Sequence, residues 1–133
     1  MIINADDFGY SESVNKAISD CFERGLINRT TIMVNMPHAE EATAMAKEKG
    51  FGLPGVYNSS GYECVETLQM LEGYVDVYLP DFKYMEENLA KQYSKAENYP
   101  ETAKQAIAEM VRQTGDCQFG EDGYIKKGTI VRH

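Results

Sequence analysis

The sequence predicts an α/β fold, either a partial (β/α) barrel or an open parallel sheet of about five strands with helices. Two observations carry this. Short apolar or β-branched runs alternate along the chain with amphipathic stretches of helical period. The 133 residues hold about five such repeats, whereas a closed eightfold barrel needs roughly 250 residues.

Ile2–Ala5 is a short apolar strand, and Asp6–Ser11 is a polar turn around Gly9. Ser11 or Ser13 caps the next helix. There Val14, Ala17, Ile18, Cys21 and Phe22 recur at helical spacing, and Gly25 stops the run. Thr30–Met36 is a second strand, rich in β-branched and apolar residues. Pro37 marks a helix start, Ala39, Ala42, Met45 and Ala46 give that helix its stripe, and Gly50 ends it. Leu53–Tyr57 is the third strand, weakened by Pro54 and Gly55. Asn58–Gly61 is a turn, and Cys64–Leu71 is a short helix closed at Gly73. Val75–Leu79 is the fourth strand, followed by Asp81-Phe82-Lys83. Tyr84–Tyr93 and Pro100–Gln113 are helices, the latter with Ala103, Ile107, Met110 and Val111 on one face. Gly115–Gly128 is a loop or hairpin, and Thr129–Val131 begins a fifth strand. The chain is read as one α/β domain over residues 1–133. It stops at His133, just inside that last apolar run, whereas a domain normally ends at the surface after its last element.

The hydrophobic fraction of 43% and charged fraction of 26% are those of a soluble globular protein. A net charge of -8 argues against nucleic acid, which demands a basic surface, and against an anionic membrane. No run approaches the roughly 18 apolar residues of a membrane span. The start MIINADDFGY lacks the basic and apolar regions of a signal peptide. Cys21, Cys64 and Cys117 are isolated and odd in number, so no disulfide framework is expected and the cytoplasm is the expected compartment. A small molecule is the expected partner. Self-association into a homo-oligomer is also expected, because partial barrels leave open strand edges.

The first chemical motif is Asn4-Ala5-Asp6-Asp7-Phe8-Gly9. Adjacent carboxylates after a buried strand are costly unless they bind a cation or divide an acid/base role. One could ligate a metal while the other takes a proton from water. The alternative, and on spacing alone the commoner outcome, is a capped turn. The stretches IINADDFGYSESVNKAI and FERGLINRTTIMVNMPHAEEA, within residues 1–52, resemble the YdjC-like carbohydrate deacetylases of the diacetylchitooligosaccharide type. The resemblance implies a metal-dependent N-acetyl sugar deacetylase on an irregular βα barrel, with Asp6 as catalytic base and Asp7 as metal ligand. It also implies a histidine in a G-x-H-L-N stretch after the third strand and a second one much later. Near residue 55 the chain reads Phe51-Gly52-Leu53-Pro54-Gly55-Val56, and the later histidine has no counterpart. His38, one loop away, is the tempting substitute as a ligand to zinc or magnesium, although the family places no ligand there and a histidine near a helix start is more often a surface residue.

The second motif joins Asn58-Ser59-Ser60-Gly61-Tyr62 to Asp81-Phe82-Lys83. Both follow strands, on the side where βα proteins bind ligands. An Asp and a Lys there can hold an amino-acid-like ligand; the alternative is a solvated ion pair worth about 0–1 kcal/mol. The stretches VYNSSGYECVETLQMLEGYVDVYLPDFKYM, LAKQYSKAENYPETAKQAIAEMVRQTGD and GYIKKGTIVRH, within residues 55–133, resemble radical S-adenosylmethionine proteins of the pyruvate formate-lyase activating type. That resemblance implies that Asp81, Lys83 and Arg132 hold S-adenosylmethionine. It places Asn58 and Ser59 at a cation-binding turn, with Asn where the family has an acid. The family's C-x3-C-x2-C loop is absent from the sequence, so no iron–sulfur cluster is expected.

The expectation is therefore a chimera-like chain, 1–52 deacetylase-like and 53–133 radical S-adenosylmethionine-like, with neither active site complete and no competent enzyme. Two alternatives stand beside it. One is a weak metal-dependent N-acetyl sugar deacetylase using Asp6, Asp7 and His38. The other is a binding module for S-adenosylmethionine or a similar small molecule, using Asp81, Lys83 and Arg132.

Overall fold

Strand–helix alternation yields parallel sheets packed with helices, and no closed barrel, in the computed structural model. The structure describes residues 1, 3–33, 36–49 and 54–133. The expected helix stop at Gly50 and the seam near residue 53 fall outside these residues, as do Ile2, Val34 and Asn35 of the expected strands. Two compact units, Met1–Leu53 and Pro54–His133, make up the chain.

In the first unit, β1 (Asn4–Phe8) runs parallel to β2 (Arg29–Ile32), and α1 (Glu12–Glu23) and α2 (Ala39–Glu48) follow the two strands. Asn4 stands opposite Arg29, Ala5 opposite Thr30 and Phe8 opposite Ile32, with the register broken between Ala5 and Phe8. The acidic pair occupies this bulge, and Asp7 takes φ 68°, a left-handed conformation unusual for a residue with a side chain. The expected turn at Asp6–Ser11 is thus corrected. The strand continues through the carboxylates because Phe8, fully buried, re-enters the ladder and anchors it in the core.

Ser11 caps α1, its Oγ accepting the Val14 N–H at 3.3 Å. Gly25, at φ 67°, follows the helix end. The buried face of α1 is turned from the expected stripe: Asn15 and Ser19 are buried beside Ile18, while Ala17 is exposed. Phe8, Ile18 and Ala42 form the core, with Val14, Phe22, Ile32 and Met45 packed on it. Helix α2 begins at Ala39, two residues after Pro37, with His38 in the capping position.

The second unit holds β3 (Val56–Ser59), α3 (Val65–Met70), β4 (Val77–Pro80), α4 (Glu87–Ser94), α5 (Tyr99–Thr114), β5 (Gln118–Phe119) and β6 (Ile125–Thr129). The sheet order is β3-β4-β6-β5, with β3, β4 and β6 parallel and β5 antiparallel to β6. Two expectations are corrected here. Asn58 and Ser59 belong to β3, where they pair with Leu79 and Pro80, rather than to a turn. The last strand lies at Ile125–Thr129, starting earlier than expected, and pairs with β4 through Gly128 and Thr129. Beyond it the Ile130 N–H still donates to the Tyr78 carbonyl at 2.9 Å, and Arg132 forms an isolated parallel bridge to Asp81.

Leu68, Tyr78, Ala106 and Met110 form one core cluster of this unit; Ala90, Ala96, Tyr99 and Ala103 form another. Beside the first, Arg112 joins Glu72 of the segment after α3 to Glu109, and Gln113 Nε2 donates to both Glu109 and the Leu68 carbonyl. Tyr78 completes the chain by donating to Gln113 Oε1 at 2.6 Å. The hydrogen bonds from Arg112 and Gln113 hold the Glu109 carboxyl down at about 2. Burial pushes the Tyr78 phenol up to about 12.

Candidate functional sites

The bulge in β1 presents Asp6 and Asp7 as exposed carboxylates at the strand's C-terminal end. Asn4 Nδ2 donates to Asp6 Oδ1 at 2.9 Å and to Thr31 Oγ1 at 3.2 Å, tying the first carboxylate to β2. The Asp7 carbonyl accepts the Tyr10 N–H at 3.0 Å and closes the turn into α1. Gly9, at φ 102°, lies so close to the start of α2 that an added Cβ would stand 3.1 Å from Ala39 Cα and 3.2 Å from the Met33 carbonyl.

That close approach brings His38 into the same neighbourhood. Its backbone N–H donates to the Gly9 carbonyl at 3.1 Å, and its ring Nδ1 lies 3.1 Å from Glu41 Oε2. Asn15 supports both sides. Its Oδ1 accepts the Gly9 N–H at 2.6 Å, and its Nδ2 donates to the His38 carbonyl and to Glu41 Oε2, each at 3.1 Å. The apolar stripe passed over Asn15; its signal was a polar residue at a core-facing position in the first turn of α1.

Among the described residues, no three His, Cys, Asp or Glu side chains gather closely enough to hold a metal ion. Asp7 and His38 therefore do not make a closed site from the described residues, since structural and catalytic zinc sites take three or four protein ligands.

The second group lies at the C-terminal ends of β3 and β4. Asp81 Oδ1 receives Arg132 at 2.6 Å, and Asp81 Oδ2 receives Lys83 at 3.4 Å. Arg132 also donates to Asn58 Oδ1 at 2.6 Å. The backbone seals this arrangement: the Arg132 N–H donates to the Pro80 carbonyl at 2.9 Å, and the Phe82 N–H to the Arg132 carbonyl at 2.7 Å. The three residues expected to bind a cofactor thus converge, and with His133 they line a cavity of about 300 Å³. His133 Nδ1 meets the Phe82 carbonyl at 2.6 Å. Two fixed cations around one carboxylate suit a ligand that itself carries an anionic group.

Ser59 does not face this cavity through a hydrogen bond. Its Oγ accepts from the Gly61 N–H and donates to Glu63, both at 3.2 Å. Burial raises the Glu63 carboxyl above its ordinary range, a shift opposed by the Ser59 hydroxyl. Tyr99 was also missed. It is 2% exposed, its hydroxyl accepts the Lys83 N–H at 2.9 Å, and the Ser60 and Asp81 carbonyls lie 2.9 and 3.1 Å from it. Tyr99 therefore fixes the backbone from which both Asp81 and Lys83 project.

A family model described as YdjC-like protein matches residues 1–115. A carbohydrate deacetylase of Thermoanaerobacter pseudethanolicus is 43% identical over 56 residues, 40% of this chain and 22% of the relative. One of Geobacillus stearothermophilus is 51% identical over 47 residues, 35% of this chain and 19% of the relative. A chitooligosaccharide deacetylase of Serratia marcescens is 39% identical over 54 residues, 41% of this chain and 21% of the relative. The chain spans about a fifth of the length of these curated relatives. No solved structure gives a significant match. The family match passes well beyond residue 53, and the named relatives give no support to a radical S-adenosylmethionine likeness or to a chimera.

Proposed function

The chain belongs to the YdjC-like family, and from that premise we propose that it serves the hydrolytic removal of N-acetyl groups from carbohydrate, with Asp6 as general base. Asp7 and His38 are the donors this chain would offer a divalent metal, zinc or magnesium, and they leave its ligand set incomplete. The observation that carries the reading is the acidic bulge. Asp7 is held at φ 68° in a strand, between a buried anchor and a hydrogen-bonded Asp6. Strain of this kind persists where surrounding structure imposes it, and it accompanies two adjacent carboxylates that leave the ladder pairing.

Asp6 remains exposed, so a water or a sugar amide can reach it, and its bond from Asn4 leaves the second carboxylate oxygen able to accept a proton. The relatives' named activity favours this reading over the expectation of an incompetent chain. Further donors would have to come from outside the described residues, and a second copy is one source, which makes a homo-oligomer part of the proposal. A cytoplasmic setting accords with three free cysteines.

Acetate release from an N-acetylated chitooligosaccharide, with added zinc or magnesium, tests the reading. Asp6→Asn should lower the rate by about 10²–10⁴-fold with an unchanged circular dichroism spectrum. Zinc calorimetry on the protein and on Asp7→Ala tests the donor, and identical flat traces would end the metal proposal.

The convergence of Asp81, Lys83 and Arg132 on one cavity favours a second reading, a site for S-adenosylmethionine or another small molecule carrying both an ammonium and a carboxylate. Equilibrium dialysis with labelled S-adenosylmethionine decides it. Retention by the protein and loss with Arg132→Ala support it; absence of binding at millimolar ligand refutes it.

A further inference from the structure

We propose that Asn15 and Glu41 are positioning residues that fix the His38 ring in its Nδ1–H tautomer, leaving the Nε2 lone pair as the one this ring presents. A neutral imidazole carries one proton, on either nitrogen, and the partner of one nitrogen decides which. Here the partner of Nδ1 is a carboxylate oxygen, Glu41 Oε2, at 3.1 Å. An ionised carboxylate only accepts, so Nδ1 must donate and Nε2 is left with its lone pair. Nε2 makes no hydrogen bond to a described residue.

Glu41 alone would be a poor clamp. Its side chain is 41% exposed and lies three residues from His38 on the same helical turn, an arrangement worth little in water. Asn15 supplies what the pair lacks. Its fully buried side chain donates to that same Glu41 oxygen and to the His38 carbonyl, so carboxylate and histidine backbone are referred to one rigid point. The other end of the amide accepts the Gly9 N–H, two residues after Asp7. One buried amide thus couples the orientation of the imidazole to the loop that follows the acidic bulge. Outer partners of this kind orient histidines at reactive sites.

The use of Nε2 as the donor that His38 offers a metal rests on the deacetylase reading. The tautomer does not, so failure of one leaves the other visible. The test is long-range proton–nitrogen correlation on the whole protein, at a pH where the imidazole is neutral. The chain has two histidines, and His133→Gln assigns the His38 signals. The expected result is a protonated-type Nδ1 and a bare-type Nε2, reversing to the Nε2–H form that prevails in a free histidine side chain on Glu41→Ala. In the same variant one Asn15 side-chain amide proton should shift. A wild-type His38 in the Nε2–H form overturns the proposal, and so does a tautomer unchanged by Glu41→Ala. An unmoved Asn15 amide overturns the role of Asn15.

Discussion

Tyr99→Phe removes one oxygen from the best-connected hydroxyl of the second unit and leaves the ring. The ring is held by Tyr62, stacked at 5.7 Å, by Tyr84 edge-on at 5.5 Å and by Phe82 at 6.2 Å, so the substitution opens no large void. What it strands is the Lys83 N–H, which donates to the hydroxyl at 2.9 Å, and one of the two carbonyls, of Ser60 and Asp81, that the hydroxyl can serve at a time. Leaving a buried polar group unpaired costs about 1–3 kcal/mol. The Lys83 side chain is about half exposed, so water can partly reach the stranded amide, and the expected loss falls in the lower part of that range, about 1–2 kcal/mol. With a urea slope of about 1–3 kcal/mol/M, the midpoint should drop by roughly 0.3–2 M without a change in slope. Because Asp81 and Lys83 both project from the pinned backbone, Tyr99→Phe should also weaken any ligand retained by the cavity, and more than Tyr93→Phe does on the exposed face of α4. Equilibrium unfolding is the assay. A stability within about 0.3 kcal/mol of the parent would refute the reasoning, because it would mean that solvent satisfies these groups as well as the phenol does.

Gly61→Ala should destabilise the second unit by about 2–3 kcal/mol, since φ is 75° there and a Cβ would collide with the Asp81 carbonyl; thermal unfolding of a folded variant at parental stability would contradict the close approach. Acid unfolding should report Glu109. Its folded pKa, about 2, lies below the ordinary value of 4.5, so its contribution is present above that ordinary value and is lost as pH falls toward about 2. Glu109→Gln should flatten the decline of stability across that window, and a slope equal to the parent's would show that the Arg112 and Gln113 bonds do not hold the carboxylate.

The alternation of strands and helices was legible because apolar period survives in short segments, as in Val77–Pro80 and in Tyr99–Thr114. Boundaries failed where strands carry polar residues. The Asp6-Asp7 pair and Asn58-Ser59 have the composition of turns, yet the strands carry on past them: Phe8 re-enters the ladder after the bulge at Asp6-Asp7, and the β4 pairing takes in Asn58 and Ser59. Lys126 and Lys127 hid β6 in the same way. The convergence of Asp81, Lys83 and Arg132 was expected from resemblance, and the parallel bridge between Asp81 and Arg132 is its physical basis. Asn15 and Tyr99 were not legible. Each earns its place through backbone atoms distant in sequence, at His38 and at Ser60, and a backbone partner leaves no mark on the pattern of side chains.

The left-handed Asp7 has a consequence for how this position would fare under selection. Glycine adopts φ 68° without a steric penalty, and asparagine nearly so. A library randomised at position 7 and sorted only for folded protein should drift toward those two residues. The same library sorted for metal capture or deacetylation should return aspartate. The gap between the two winning populations would measure how far the requirement for a carboxylate outweighs the preference of the backbone.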